Sequence, residues 1–163
     1  MWPFGKTPIS VVVATTEFYA QVASAFEENY DAILDIFRNA YDEDCPFAEA
    51  IYMETMPAVW ALGIEPVQNI WGDETFKRVR SEMLVKINQS HTPLAPILVE
   101  RFLTHTKLLR AGLANGSATY NSDHIIKQLE LNPQPMTSIL LSTRLAMLVL
   151  PYWKNLAKKH ELF

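Results

Sequence analysis

Phe18, Val22, Phe26, Tyr30, Ile33, Phe37 and Tyr41 recur at spacings of three and four, while Glu17, Gln21, Ser24, Glu28, Asp31, Asp35 and Arg38 occupy the positions between. That is the period of a helix with one apolar stripe, and a strand would alternate every second residue. It predicts a helix over about Thr16 to Tyr41, capped by Thr15 or Thr16.

The same reading continues down the chain. Pro46 suits the first turn of a second helix, which Pro57 kinks and Gly63 stops. Glu65 to Gly72 reads as a linker or a single turn. Asp73 caps a third helix to about Gln89, with Phe76, Val79, Met83 and Ile87 inward. A fourth follows Thr92-Pro93 with Leu94, Leu98, Phe102, Leu109 and Leu113 inward, and Asn115-Gly116 ends it. A short fifth runs from about Ser122 to Leu131, and a last one from Thr137 to His160 is kinked near Pro151.

The last helix is apolar nearly all round between Ile139 and Leu150, which predicts a place in the middle of the domain. Only Ile9 to Val13 is β-branched enough for a strand, and with nothing local to pair with it reads as an extended arm or an early helix entry. The expected fold is therefore all-α: an N-terminal arm over 1–15, then over 16–163 a single-domain bundle of five to six helices around a central C-terminal helix. At 163 residues, 49% of them hydrophobic, the chain can bury a sizeable core without staples.

Composition narrows the function classes. Five glycines, none in a phosphate-loop or dinucleotide-binding pattern, argue against nucleotide binding. A net charge of −4 and scattered basic residues give no nucleic-acid footprint. The single cysteine, Cys45, allows no internal disulfide, and with no recognisable signal sequence the expected location is the cytoplasm. Cys45 sits at a helix start behind Asp42, Glu43 and Asp44, so opposing influences act on its thiol. Those acids fail as a calcium loop, because Phe47 stands where the turn glycine belongs and Met53 where the last carboxylate does. The stretch from Leu131 to Trp153 comes nearest to a membrane span, but its prolines and polar residues favour a core helix. No metal site, cofactor or catalytic constellation is expected.

Charge is unevenly divided. Residues 1–75 carry thirteen acidic and two basic side chains, and residues 76–163 carry twelve basic and five acidic ones. Glu27, Glu28, Asp31 and Asp35 form an acidic face on the first helix; Lys77, Arg78 and Arg80 form a basic one on the third. Either they neutralise each other across the fold, or each remains a docking surface for another protein or a second copy. Trp2 and Phe4 either pack back or form an exposed aromatic anchor.

Two buried-pattern polar residues point to a small ligand instead. His105 shares the inward stripe of Phe102 and Leu109, and Arg144 lies four residues from both Leu140 and Leu148. A guanidinium there must reach a carboxylate, solvent or a bound anion. The principal expectation is a non-catalytic helical protein that binds another protein through its charged surfaces. The alternative is a bundle that holds a small or apolar ligand with Arg144 or His105 as polar anchor.

Overall fold

The computed structural model describes residues 5–149 and 151–163; Trp2 and Phe4 lie outside them. Its elements are β1 (Thr7–Ile9), α1 (Val11–Tyr41), a 3-10 turn (Asp42–Asp44), α2 (Ala48–Trp71), α3 (Asp73–Ser90), α4 (Ala95–Ala114), α5 (Tyr120–Gln128), α6 (Pro135–Leu148), α7 (Tyr152–Lys159) and β2 (His160–Leu162). The chain is an all-α single-domain bundle, as the periodicity requires.

Its first helix begins earlier than expected. The Ser10 hydroxyl accepts from the Val13 N–H at 3.2 Å, so Ser10 is the cap and Val11 to Thr15 are helical. Thr16 turns its hydroxyl back onto the Val12 carbonyl at 2.7 Å. The residues before the helix are not a free arm either. β1 pairs in parallel with β2, with Thr7, Pro8 and Ile9 opposite His160, Glu161 and Leu162. Lys6 reaches Glu161 at 3.3 Å, and the Val11 N–H donates to the Phe163 carbonyl at 3.0 Å. The strand partner lies about 150 residues away, beyond what a local pattern can see.

The central element is α2, not the C-terminal helix. It packs against α1, α3, α4, α5, α6 and α7. Ile51, Met56, Val59, Trp60, Ala61, Ile64 and Val67 are all buried. The helix runs unbroken through Pro57, Gly63 and Pro66. The expected stop at Gly63 and the linker over 65–72 are therefore both part of this helix. Each interior proline removes a backbone donor, but burial on nearly every side outweighs local propensity. The helix ends at Gly72, whose φ of 90° few other residues adopt.

Gly63 has a packing role. A Cβ there would lie 2.3 Å from Phe18 Cζ and 3.1 Å from Val149 Cγ1. Phe18 is itself fixed, with ring centroids 5.6 Å from Tyr152 and 5.2 Å from Trp153. Gly63→Ala gains about 1 kcal/mol of helix propensity. Overpacking against an immobile ring costs about 1–3 kcal/mol, so we expect a net loss of stability in urea melts. Adding Phe18→Leu to the alanine variant should relieve part of that loss, a non-additivity that a propensity effect alone would not produce.

The long last helix is broken between α6 and α7 near Pro151, as expected, but α6 lies at the surface. Met136 is 65% and Met147 58% exposed, with Ile139 and Leu140 half exposed beside them. The stretch Pro135–Lys159 is long and apolar enough to cross a membrane by length and composition, and only 35% of its most apolar window is buried. In α4, Leu94 and Leu113 also point outward, and the inward row is Leu98, Phe102, His105 and Thr106.

Candidate functional site

The sequence's two ligand-anchor candidates lie far apart in character. His105 is fully buried between α4 and α5. The Asn121 amide lies 3.0 Å from its Nδ1 and also donates to its backbone carbonyl at 3.0 Å. Nδ1 therefore accepts and the ring proton sits on Nε2, which has no hydrogen-bond partner. Burial, with His124 5.5 Å away adding to it, pushes the imidazole pKa down to about 3, so the ring is neutral. Nearby, Glu54 is only 4% exposed. It accepts from Arg101 Nε at 3.0 Å through one oxygen, and its other oxygen is buried without a partner. This cluster ties α2, α4 and α5 together. Among the described residues, no group of three metal-ligating side chains converges here or elsewhere.

Arg144 is half-buried on the wall of a groove between α1 and α6, beside Asp35, Ile36, Met136 and Leu140. Of the three outlets open to its guanidinium, a carboxylate is not the one used: Asp35 is engaged by Arg38 at 3.3 Å, and no ion pair of Arg144 occurs among the described residues. Partial exposure lets solvent meet the requirement that burial would otherwise impose.

The two charged faces do not neutralise each other. Lys77 pairs within its own helix with Glu74 at 2.7 Å, and Arg80 lies 5.9 Å from the Phe76 ring centroid. Arg78 is exposed. Among the described residues no ion pair joins α3 to α1, so Glu27, Glu28 and Asp31 stand as an exposed acidic strip.

The residues that line the half-open aromatic cavity are others. Between α1, α2 and the end of α3 lies a cavity of about 450 Å³. Tyr19, Ala23, Phe26, Glu27 and Tyr30 come from α1, Tyr52 and Met56 from α2, and Ser90 and His91 close it. Phe26, Tyr30 and Tyr52 form a three-ring corner, with centroid separations of 5.3, 5.6 and 6.0 Å. On the other side Tyr19 stacks on buried Trp60 at 5.6 Å, and His91 packs 5.4 Å from the same indole. The Tyr30 hydroxyl is held by the Ala48 carbonyl. The Tyr19 hydroxyl is buried beside Ser90, yet makes no hydrogen bond of ordinary geometry.

Burial shapes the chemistry of this space. It pushes the Tyr19 and Tyr30 hydroxyls up to about 12 and Tyr52 upward as well, so all three phenols keep their protons. It pushes His91 below the usual imidazole range. Glu27, exposed at the mouth, is therefore the one formally charged group lining the cavity near neutral pH.

Sequence reasoning counted Phe26 and Tyr30 as core and Glu27 as part of a partner surface. The signal it passed over was the concentration of hydroxylated rings, Tyr19, Tyr30 and Tyr52, whose polar ends disfavour a closed core. Cys45, half-buried with its thiol pushed up by burial, lies outside this site. No family model, curated protein or solved structure matches this chain, so the functional reading rests on its own geometry.

Proposed function

We propose that this protein binds a small organic ligand in the aromatic cavity between α1 and α2. The supporting observation is the combination found there: a half-open space of about 450 Å³ with four aromatic side chains on its walls and Ser90, His91 and Glu27 as polar groups. Ligand sites are typically concave and largely apolar, with a few placed polar groups, and range over about 300–1,000 Å³. Neither His105 nor Arg144 lines this cavity, so the polar anchors in this reading are Ser90, His91 and Glu27.

Native mass spectrometry of freshly purified protein tests the reading by looking for a retained mass. Ala23 is half-buried on the α1 wall, so Ala23→Trp should fill the space and displace that mass without loss of the fold. A retained mass that survives the tryptophan would place the ligand elsewhere.

A second reading is favoured by a separate observation, the exposed row Met136, Ile139, Leu140 and Met147 on α6. Next to it, one groove carries both Asp35 and Arg144. Both charges on one patch are what reciprocal pairing across a two-fold contact between copies of this chain would use. In this reading, sedimentation shows a dimer that Leu140→Lys dissociates; a monomer at every protein concentration would remove it.

A further inference from the structure

The cavity also carries information about the kind of ligand it takes. This step rests on the binding reading above and deepens it. The one formal charge on the walls is negative, and the rest of the lining is mostly aromatic. Tyr19, Phe26, Tyr30 and Tyr52 supply π-systems whose faces are negative. Met56 adds a polarisable thioether. Glu27 places a carboxylate at the mouth, and no Lys or Arg lines the space.

The surroundings extend the pattern. Asp31 and Glu28 continue the acidic strip of α1 from Glu27, and neither forms an ion pair among the described residues. An anionic ligand would meet ring faces and a carboxylate with nothing to balance it. A neutral hydrocarbon would fill the space but leave Glu27 unused. A cation satisfies all of them: ring faces attract it, the carboxylate balances it, and the acidic strip raises its local concentration.

We infer that the cavity is a receptor for a small organic ammonium ion, its alkylated nitrogen held among Tyr19, Phe26, Tyr30 and Tyr52 and its charge balanced by Glu27. The ligand needs an apolar body as well as the charge, because a bare inorganic cation would leave most of the space empty.

Choline and 3,3-dimethylbutan-1-ol are the probes. They share a shape and differ in a quaternary nitrogen against a quaternary carbon. Binding is followed by NMR through the Met56 methyl and Ala23 signals at low ionic strength. The expected result is that choline binds about fivefold or more tightly than the alcohol. Glu27→Gln should weaken choline several-fold and leave the alcohol unchanged; the exposed position of Glu27 makes this change safe for the fold. Tyr52→Leu should weaken choline more than the alcohol.

Equal or tighter binding of the alcohol overturns the inference, as does a Glu27→Gln effect that is the same on both probes. Failure of both probes to move the Met56 and Ala23 signals also overturns it. If those failures come with a retained neutral mass that Ala23→Trp displaces, the cavity is still a ligand site and only the ammonium assignment is lost. If no mass is retained as well, the binding reading falls with it.

Discussion

Arg101→Met should destabilise the protein by about 1–3 kcal/mol near pH 8, less than a fully buried pair would lose because the Arg101 side chain is one-third exposed. Glu54 has already given up nearly all its hydration, being 4% exposed, and Arg101 is its ion-pair partner among the described residues. Its second oxygen has no hydrogen bond at all. Removing the guanidinium leaves a buried carboxylate with neither water nor a counter-charge, and methionine fills most of the volume but none of the electrostatics.

The pH dependence identifies the cause. Burial raises the Glu54 pKa above its ordinary 4.5, and Arg101 pulls it back down. Without Arg101 the folded-state pKa rises further. A carboxyl whose folded pKa exceeds its unfolded one is penalised above the folded pKa, and the penalty disappears as pH falls to the unfolded value. The cost of Arg101→Met in urea melts should therefore shrink steadily on acidification. Glu54→Met in the same background should recover most of the loss, since an apolar pair often replaces a buried ion pair at little net cost. A penalty under about 1 kcal/mol near pH 8 would mean that the pair is solvated, as surface pairs are.

Acid should unfold the wild-type protein through His105. Its pKa falls from the ordinary 6.5 in the unfolded chain to about 3 in the folded one, chiefly through burial. Between those values the unfolded state binds a proton that the native state does not, so stability falls as pH falls, by about 1.4 kcal/mol per unit. By about pH 5 His105 alone should have removed about 2 kcal/mol, and nearly the full effect is reached by about pH 3.

Other groups bear on the same window. His91 and His124 are also lowered and act in the same direction, whereas Glu54, being raised, acts in the opposite one above 4.5. The diagnostic is therefore the difference between proteins. His105→Gln keeps an acceptor for Asn121 and cannot take a proton, so its stability should fall less steeply between about pH 6.5 and 5. Identical slopes for variant and wild type would remove His105 as the acid-sensitive group.

Both clusters show how legibility in sequence runs out. Only the middle of the inward stripe of α4 was readable: Leu98, Phe102 and His105 fall on it, and Leu94 and Leu113 do not. That Glu54, Arg101, Asn121 and His124 surround His105 was not, because they come from three helices. Arg144 shows the opposite limit. Its apolar neighbours suggested burial, but only Leu148 is buried while Leu140 is half exposed. Hydrophobicity alone does not say whether a helix is enclosed or uncovered.

What the residues determined alone is local. Turns of 3.6 residues, side-chain volume and capping groups act within one helix, so helix identity, the inward face of α1 and α3 and the break near Pro151 follow without a partner. What the tertiary structure decided is everything that needs a second segment. Packing on all sides carries α2 through two prolines and a glycine; pairing across the whole chain makes β1 a strand. The aromatic cavity belongs to that second group. Rings on α1 and α2 become walls only because those helices and the end of α3 leave a space between them, and no spacing within one helix encodes a gap between three.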